Sequence, residues 1–542
     1  MKPLEGTPHE LTISEIRLQL RPMTQRIADE IREEIRVEFS NKYFSLMFDS
    51  ATKMGRAVLG IDIRTIHSGK VVTRSIGMQR ITCKHTGKNI ADMIVDRLKK
   101  YGISPKLMAS ATIDNGANLV KAVKIVDSMV SKLTAEEYTS SSSDESDIDS
   151  IEAHWLDPDF QMHLIEQATR ELCSVHKPYI YDRVECIRCA AHTIQLAIDE
   201  ALENSSCIPV INKARNLVKN LRLKQILLKL EENGLPIPSL DCRTRWFSIY
   251  TMMFVLLKCK QFAFDYVASK QMPPIEYNLT EVEWGVVKQI VEIMEIPLRA
   301  TKMLQTADFT LSDFHAEWLL MEAALKKRVL SSVDTIDLAI QLLNSLKKYS
   351  AQLLTNPMYA AAVYLDPRFT RTMDKTSRKL ATSKLLKLWN QKNRNQDETA
   401  QPVPNNKNDN VSRLDELEEL LAGAEVSERN SVYTSQSLNV NQEKIHDILE
   451  KFADLPREKI NTNVVQYWEN SKDNKPELFL LSQIVYVNSP TQTNTERSFS
   501  AFNHIFSAKR SKLKQNLLED ILLIYLNRDL FEKVVSKHLQ ET

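Results

Sequence analysis

Three β-branched, partly alternating runs follow one another in this chain with only a short turn between them. They are Tyr43–Asp49, Arg56–His67 and Val71–Ile81, separated at Gly55 and at Ser68-Gly69, and they read as three antiparallel strands. Residues 88–101 then switch to helical spacing, with Ile90, Ile94 and Leu98 on one face. A short apolar strand over 109–113 ends in Asp114, and a second helix follows over 118–130.

A meander of three strands, a helix and a strand ending in an acid form the first half of a ribonuclease H-like fold. Such a sheet sets its first and fourth strand ends side by side, which would bring Asp49 next to Asp114. A third acid, Glu496, lies far downstream in Thr493-Asn494-Thr495-Glu496-Arg497-Ser498-Phe499-Ser500. Taken singly, each acid has an ordinary reading. Glu496 suits a capping box with Thr493, Asp114 a helix cap, and Asp49-Ser50 a turn. Taken together they are the set that two-metal phosphoryl transfer requires, because two divalent cations about 3.5–4 Å apart need several anionic oxygens. The chain therefore reads as a nuclease or transposase core.

A length of 542 residues implies two or three domains, and 43% hydrophobic with 26% charged residues supports a sizeable core. No secretory segment opens the chain and no apolar run approaches a membrane span, so no membrane partner is expected. Seven scattered cysteines read as reduced thiols. The net charge of +1 hides segregation: acids crowd Glu136–Asp159, while basic clusters lie at Lys213–Lys224, Lys326–Arg328 and Lys509–Lys514. Phosphate contacts would have to come from such local clusters.

The expected organisation is α/β plus all-α. Residues 1–40 form a helical segment, and 41–200 the first part of the core, with a disordered acidic loop at 139–154. Residues 201–440 form a helical insertion with linkers at 391–412 and 424–441, and 441–542 complete the core. Nearly all of the stretch from about 160 to 390 reads as helical, and Ser482–Asn488 as a short strand before Pro490.

Two further motifs carry chemistry. Cys173-Ser174-Val175-His176 and Cys186-Ile187-Arg188-Cys189-Ala190-Ala191-His192 could together offer four zinc ligands. The second would lie on one helix and the intervening stretch resembles no zinc-finger turn, so a structural zinc is not expected. Cys189 and His192 read instead as support for the neighbouring site. In Cys242-Arg243-Thr244-Arg245-Trp246, a tryptophan beside two cations can stack on an extruded base, or be a core ring with snorkelling arginines.

These segments together resemble the hAT superfamily of DNA transposases and their domesticated descendants. The likeness runs through Phe44–Ser50, Ile113–Asn118, Cys189–Leu196, Arg245-Trp246, Tyr467-Trp468 and Glu496–Ser500, nearly the whole chain. It implies a ribonuclease H-like core interrupted by a large helical insertion, and a C-terminal dimerisation region. By the same likeness Asp49, Asp114 and Glu496 bind two Mg²⁺ or Mn²⁺ ions, His192 sits near them, and Trp246, Arg243, Arg245 and Arg497 contact DNA. The implied protein is a nuclear homodimer or higher homo-oligomer that cleaves and transfers DNA strands. Its alternative is a domesticated, non-catalytic DNA- or chromatin-binding regulator. Phe499, Phe502, Phe506, Leu513, Leu517, Ile521, Leu522, Ile524 and Tyr525 offer more apolar surface than one helix face needs, as core or as interface. The family's N-terminal BED zinc finger has no counterpart set of ligands here, His9 standing alone, and Ala51 replaces the family's aromatic.

Overall fold

The computed structural model describes residues 13–53, 55–135, 183–242, 246–268, 279–306, 308–331, 337–397, 440–506 and 513–541. The protein is mixed α/β and mostly helical. Helix α1 (Ile13–Phe39) leads into strands β1 (Phe44–Lys53), β2 (Arg56–His67) and β3 (Lys70–Arg80), then α2 (Gly87–Lys100), β4 (Met108–Ile113), α3 (Ala117–Ala135) and β5 (Glu185–Arg188). A helical block follows: α4 (Ala190–Glu203), α5 (Ile208–Leu221), α6 (Lys224–Glu232), α7 (Trp246–Lys258), α8 (Lys260–Ala268), α9 (Glu281–Met303), α10 (Leu311–Ser331), α11 (Asp337–Leu354), α12 (Pro357–Tyr364) and α13 (Lys375–Asp397). The chain ends in α14 (Val440–Ala453), α15 (Val464–Asn470), α16 (Pro476–Val485), α17 (Thr493–Ile505), α18 (Gln515–Leu526) and α19 (Arg528–Glu541).

The sheet has five strands in the order β3-β2-β1-β4-β5. The first three form the expected antiparallel meander, while β4 joins β1 and β5 joins β4 in parallel. Positive-φ residues make the tight links: Gly55 at +71° between β1 and β2, then Ser68 and Gly69 at +50° and +68° between β2 and β3. One sheet face buries Leu46, Phe48, Ile61 and Ile63 against Ile31 and Ile35 of α1, Ile90 and Ile94 of α2, and Val123 of α3.

Both sheet edges are covered, which removes unpaired strand as a template for aggregation. At β3, the Asn527 side chain accepts from Ser75 N (3.2 Å) and donates to Ser75 O (2.9 Å), imitating a neighbouring strand. At β5, Asn356 Nδ2 donates to Cys186 O (3.1 Å), and Lys384 Nζ of α13 reaches Glu185 Oε2 at 2.8 Å in a buried ion pair. The start of β5 is fixed by Asp127 of α3, whose Oδ1 accepts from Arg183 N and Val184 N, both at 2.7 Å.

Several expectations need correction. The stretch from about 160 to 390, read as nearly all helical, contains strand β5, which at four residues is too short to show a period and has Val184, Glu185 and Cys186 buried. Cys186 is therefore on a strand and only His192 on a helix, with Cys189 at the helix N-cap. Ser482–Asn488 is no strand. Leu478, Leu481, Ile484 and Val485 of α16 are buried at helical spacing, and Pro476 sits at the first turn. The linker expected from 391 begins later, since α13 runs to Asp397. Asp49 is not at a strand end either, because β1 continues to Lys53 against β2. The acidic loop at 139–154, Cys173, His176, residues 398–439 and Lys509–Lys512 lie outside the described residues.

Much of the C-terminal apolar surface is core. Phe502, Phe506 and Leu522 are buried with Val58 and Met78 of the sheet, Phe499, Leu513 and Ile521 pack against them, and Tyr525 remains 58% exposed. Among the described residues no helix is long and apolar enough to cross a membrane.

The Glu185–Lys384 pair gives a direct test. Lys384→Ala strands a buried carboxylate and is expected to cost about 3–5 kcal/mol in denaturant unfolding, whereas Glu185→Leu with Lys384→Leu should recover most of that loss.

Candidate functional site

The parallel pairing of β1 with β4 matches Met47 with Thr112, so Asp49 and Asp114 lie two residues further along the same register. Alternation then points both toward the same sheet face as Ser45, Met47, Ser110 and Thr112. On that face the chain returns from far downstream. Ser45 Oγ donates to Val487 O (2.6 Å), Thr112 Oγ1 to Ser489 O (2.6 Å), and Ala190 N to Pro490 O (2.7 Å). These bonds fix the buried Val487–Gln492 segment across three elements of the core, and α17 starts from its end. Glu496 occupies the first turn of α17.

Glycine makes the approach possible. Gly60 of β2 stands opposite Asp49, and a Cβ there would lie 2.9 Å from Thr495 Cγ2, 3.1 Å from Met78 Sδ and 3.4 Å from Phe499 Cζ. The helix therefore rests directly on the strand beside Asp49. The N-cap of α17 is Gln492 and makes no side-chain cap bond, so a capping box between Thr493 and Glu496 does not form.

Asp49 and Asp114 are half-buried, whereas Glu496 is exposed. Asp49 Oδ1 accepts from Ser50 N (2.7 Å) and Asp114 Oδ1 from Gly116 N (2.8 Å), bonds that steady one oxygen of each carboxylate. Burial, then the charge of Asp114, with a further contribution from Glu496, pushes the Asp49 carboxyl up to about 7. His192 is half-buried beside the same acids. Burial opposes its charged form, but Cys189 and the carboxylates of Asp114 and Glu496 prevail and push it up to about 9. Its Nδ1 is buried and has no hydrogen-bond partner among the described residues.

The three acids and His192 thus share one electrostatic neighbourhood, in which Asp49 resists ionising because it is buried beside a second carboxylate. That donor chemistry fits divalent cations. As the side chains stand, no three His, Cys, Asp or Glu among the described residues converge closely enough to hold an ion.

The remaining candidates fare differently. Arg497 does not stand free: Nη2 donates to Gln305 O (2.8 Å) beyond α9, and Nη1 to Asn494 Oδ1 (3.4 Å). Arg243 and Arg245 lie outside the described residues, and of Trp246 only its backbone place at the head of α7 is described. Two residues escaped the sequence reading. Arg64 of β2 is buried and donates to Phe309 O (2.8 Å) and Ser489 Oγ (3.4 Å), joining sheet, insertion and returning segment. Asp62 is 1% exposed and accepts from Thr495 Oγ1 at 2.7 Å, with burial pushing its carboxyl up to about 6. The signal for both was a charge inside a β-branched run, where charged side chains are seldom buried without partners.

Two family models match the chain. Residues 187–293 match the ZBED1 RNase-like helical domain, and residues 445–528 the hAT family C-terminal dimerisation region. Over these two segments the chain is similar to hAT-family transposase proteins. It is also 21% identical over 371 residues to tpeD of Talaromyces stipitatus, described by its name as a transcriptional regulator. That likeness covers 62% of this chain and 41% of tpeD.

Two outcomes test the site. Asp49 and His192 both hold a proton more tightly folded than unfolded, so each contributes stability that is lost as pH rises, Asp49 between 3.8 and about 7 and His192 between 6.5 and about 9. In urea unfolding, Asp49→Asn should flatten the lower part of the decline and His192→Gln the upper part. Gly60→Val should lift α17 from the sheet and cost about 1–3 kcal/mol by the same measurement.

Proposed function

We propose that the five-stranded sheet is a ribonuclease H-like core and that the protein cleaves and transfers DNA strands with Asp49, Asp114 and Glu496. The observation that carries the reading is the parallel register that sets Asp49 level with Asp114, at the face where the first turn of α17 brings Glu496; the raised pKa of Asp49 agrees with it. Strand order supports it as well, since three antiparallel strands followed by two parallel ones form a sheet of this kind. Two Mg²⁺ or Mn²⁺ ions, when bound, would activate the attacking oxygen and stabilise the leaving oxygen.

The chain's own residues supply the rest. Asp49 presents its carboxylate from β1 and Asp114 from the residue after β4, and Glu496 would join them from the exposed first turn of α17. Charged His192 offers a cation beside them, suited to a DNA phosphate. Arg497 and Arg64 tie this centre to the loop between α9 and α10, so that DNA held by the helical insertion would be registered against the acids. Trp246, at the head of α7, and Arg243 and Arg245 just before it in sequence are the proposed strand-distorting contacts. The C-terminal region matched to the hAT dimerisation model would join two copies in the nucleus.

A second reading, a dimerising DNA- or chromatin-binding regulator without catalysis, is favoured by the likeness to tpeD and by the exposure of Glu496. Nicking and strand joining of plasmid DNA with Mn²⁺ separates the two. The catalytic reading expects activity in the wild type and its loss, by at least about 10²-fold, in Asp114→Asn. Inactivity of both proteins, shown folded and dimeric by light scattering, would leave the regulator.

A further inference from the structure

We propose that Asp62 is a positioning residue: through Thr495 it fixes the first turn of α17 and with it the reach of Glu496 toward Asp49. The inference rests on reading Asp49, Asp114 and Glu496 as a cation site.

Gly60 and Asp62 lie two residues apart on β2 and face the same way. Together they form a seat for one side chain of α17. The methyl of Thr495 lies over Gly60, at 2.9 Å from where a Cβ would stand, and its hydroxyl donates to Asp62 Oδ2 at 2.7 Å. Thr495 is fully buried, and Glu496 is the next residue. Gly60 is in turn the antiparallel partner of Asp49. One threonine therefore couples the strand register at the first acid to the helix that carries the third.

The seat has the marks of orientation more than of adhesion. Apolar contact of α17 with the sheet is already supplied by Phe502 and Phe506 against Val58 and Met78. A carboxylate only 1% exposed is costly unless its oxygens are bonded, and an apolar residue would fill the space more cheaply. A directional hydrogen bond instead fixes the rotation of the helix about its axis, which apolar packing leaves loose. Strand β2 keeps an unbroken register with β1 here, Met47 opposite Asp62 and Asp49 opposite Gly60, so Asp62 and Gly60 stay on the face of Asp49.

The test uses the full chain and Mn²⁺ alone, titrated calorimetrically into Asp62→Ala, Thr495→Val, their combination and Asp62→Asn. Groups that orient metal ligands without touching the ion change affinity by about 10–100-fold. Asp62→Ala and Thr495→Val should each weaken Mn²⁺ binding by at least about 10-fold, and the double variant no further, because both remove one bond. Asp62→Asn, which keeps an oxygen to accept from Thr495, should stay near wild type. Hydrogen exchange of the amides at 493–500, measured without metal, should quicken in Asp62→Ala and Thr495→Val and not in Asp62→Asn.

A folded Asp62→Ala that binds Mn²⁺ as wild type does would overturn the proposal, even if its melting temperature fell. If Asp62→Ala fails to fold, Thr495→Val decides the matter in the same way. If the folded wild type binds no Mn²⁺, the cation-site reading fails, and unchanged exchange at 493–500 in the variants would overturn the positioning role separately.

Discussion

The parallel pairing of β1 with β4 is the contact on which the rest of the structure depends. The two strands are joined by neither a hairpin nor a shared turn, since β2, β3 and α2 intervene, and their alignment is what sets Asp49 level with Asp114. A slip of one residue would send one acid to the opposite sheet face, into the layer of Ile31, Ile90 and Val123. The buried rows on both strands oppose that slip, because Leu46, Phe48, Ala111 and Ile113 would be moved out of the apolar layer with it.

The returning segment converts a strand register into a site. Val487–Gln492 is held by Ser45, Thr112 and Ala190, so the first turn of α17 arrives at the face where the aspartates emerge. Bringing three acids together is electrostatically unfavourable, as the resistance of Asp49 to ionisation shows. Buried carbonyl acceptors, a strand glycine and apolar packing by Phe502 and Phe506 offset that cost. His192 adds positive charge beside the acids, from the helix after β5.

How much of this was legible in the sequence follows from which interactions are local. The meander was readable in its order and turns, since Gly55 and Ser68-Gly69 mark the turns and β-branched runs the strands, although β1 runs past Asp49 to Lys53. So were α2, β4 and α3, whose periods are clean. The four residues of β5 were not, because a strand that short shows no alternation and its place depends on Asp127, Asn356 and Lys384, all remote in sequence. Ser482–Asn488 misled for the opposite reason: its β-branched composition suggested a strand, while burial at helical spacing prevailed.

The sequence by itself determined the meander, α2, β4 and α3, because turn chemistry and periodicity act over a few residues, and it offered Asp49, Asp114 and Glu496 as candidate acids, with His192 placed beside them by the family likeness. Only the tertiary structure decided that these four share one electrostatic environment, that Arg497 is engaged with Gln305, and that Gly60 and Asp62 seat the helix bearing Glu496. Those facts depend on contacts hundreds of residues apart, and nothing in the local chain chooses a partner at that distance. Packing chooses it, through the shapes and hydrogen bonds available on one face of the sheet.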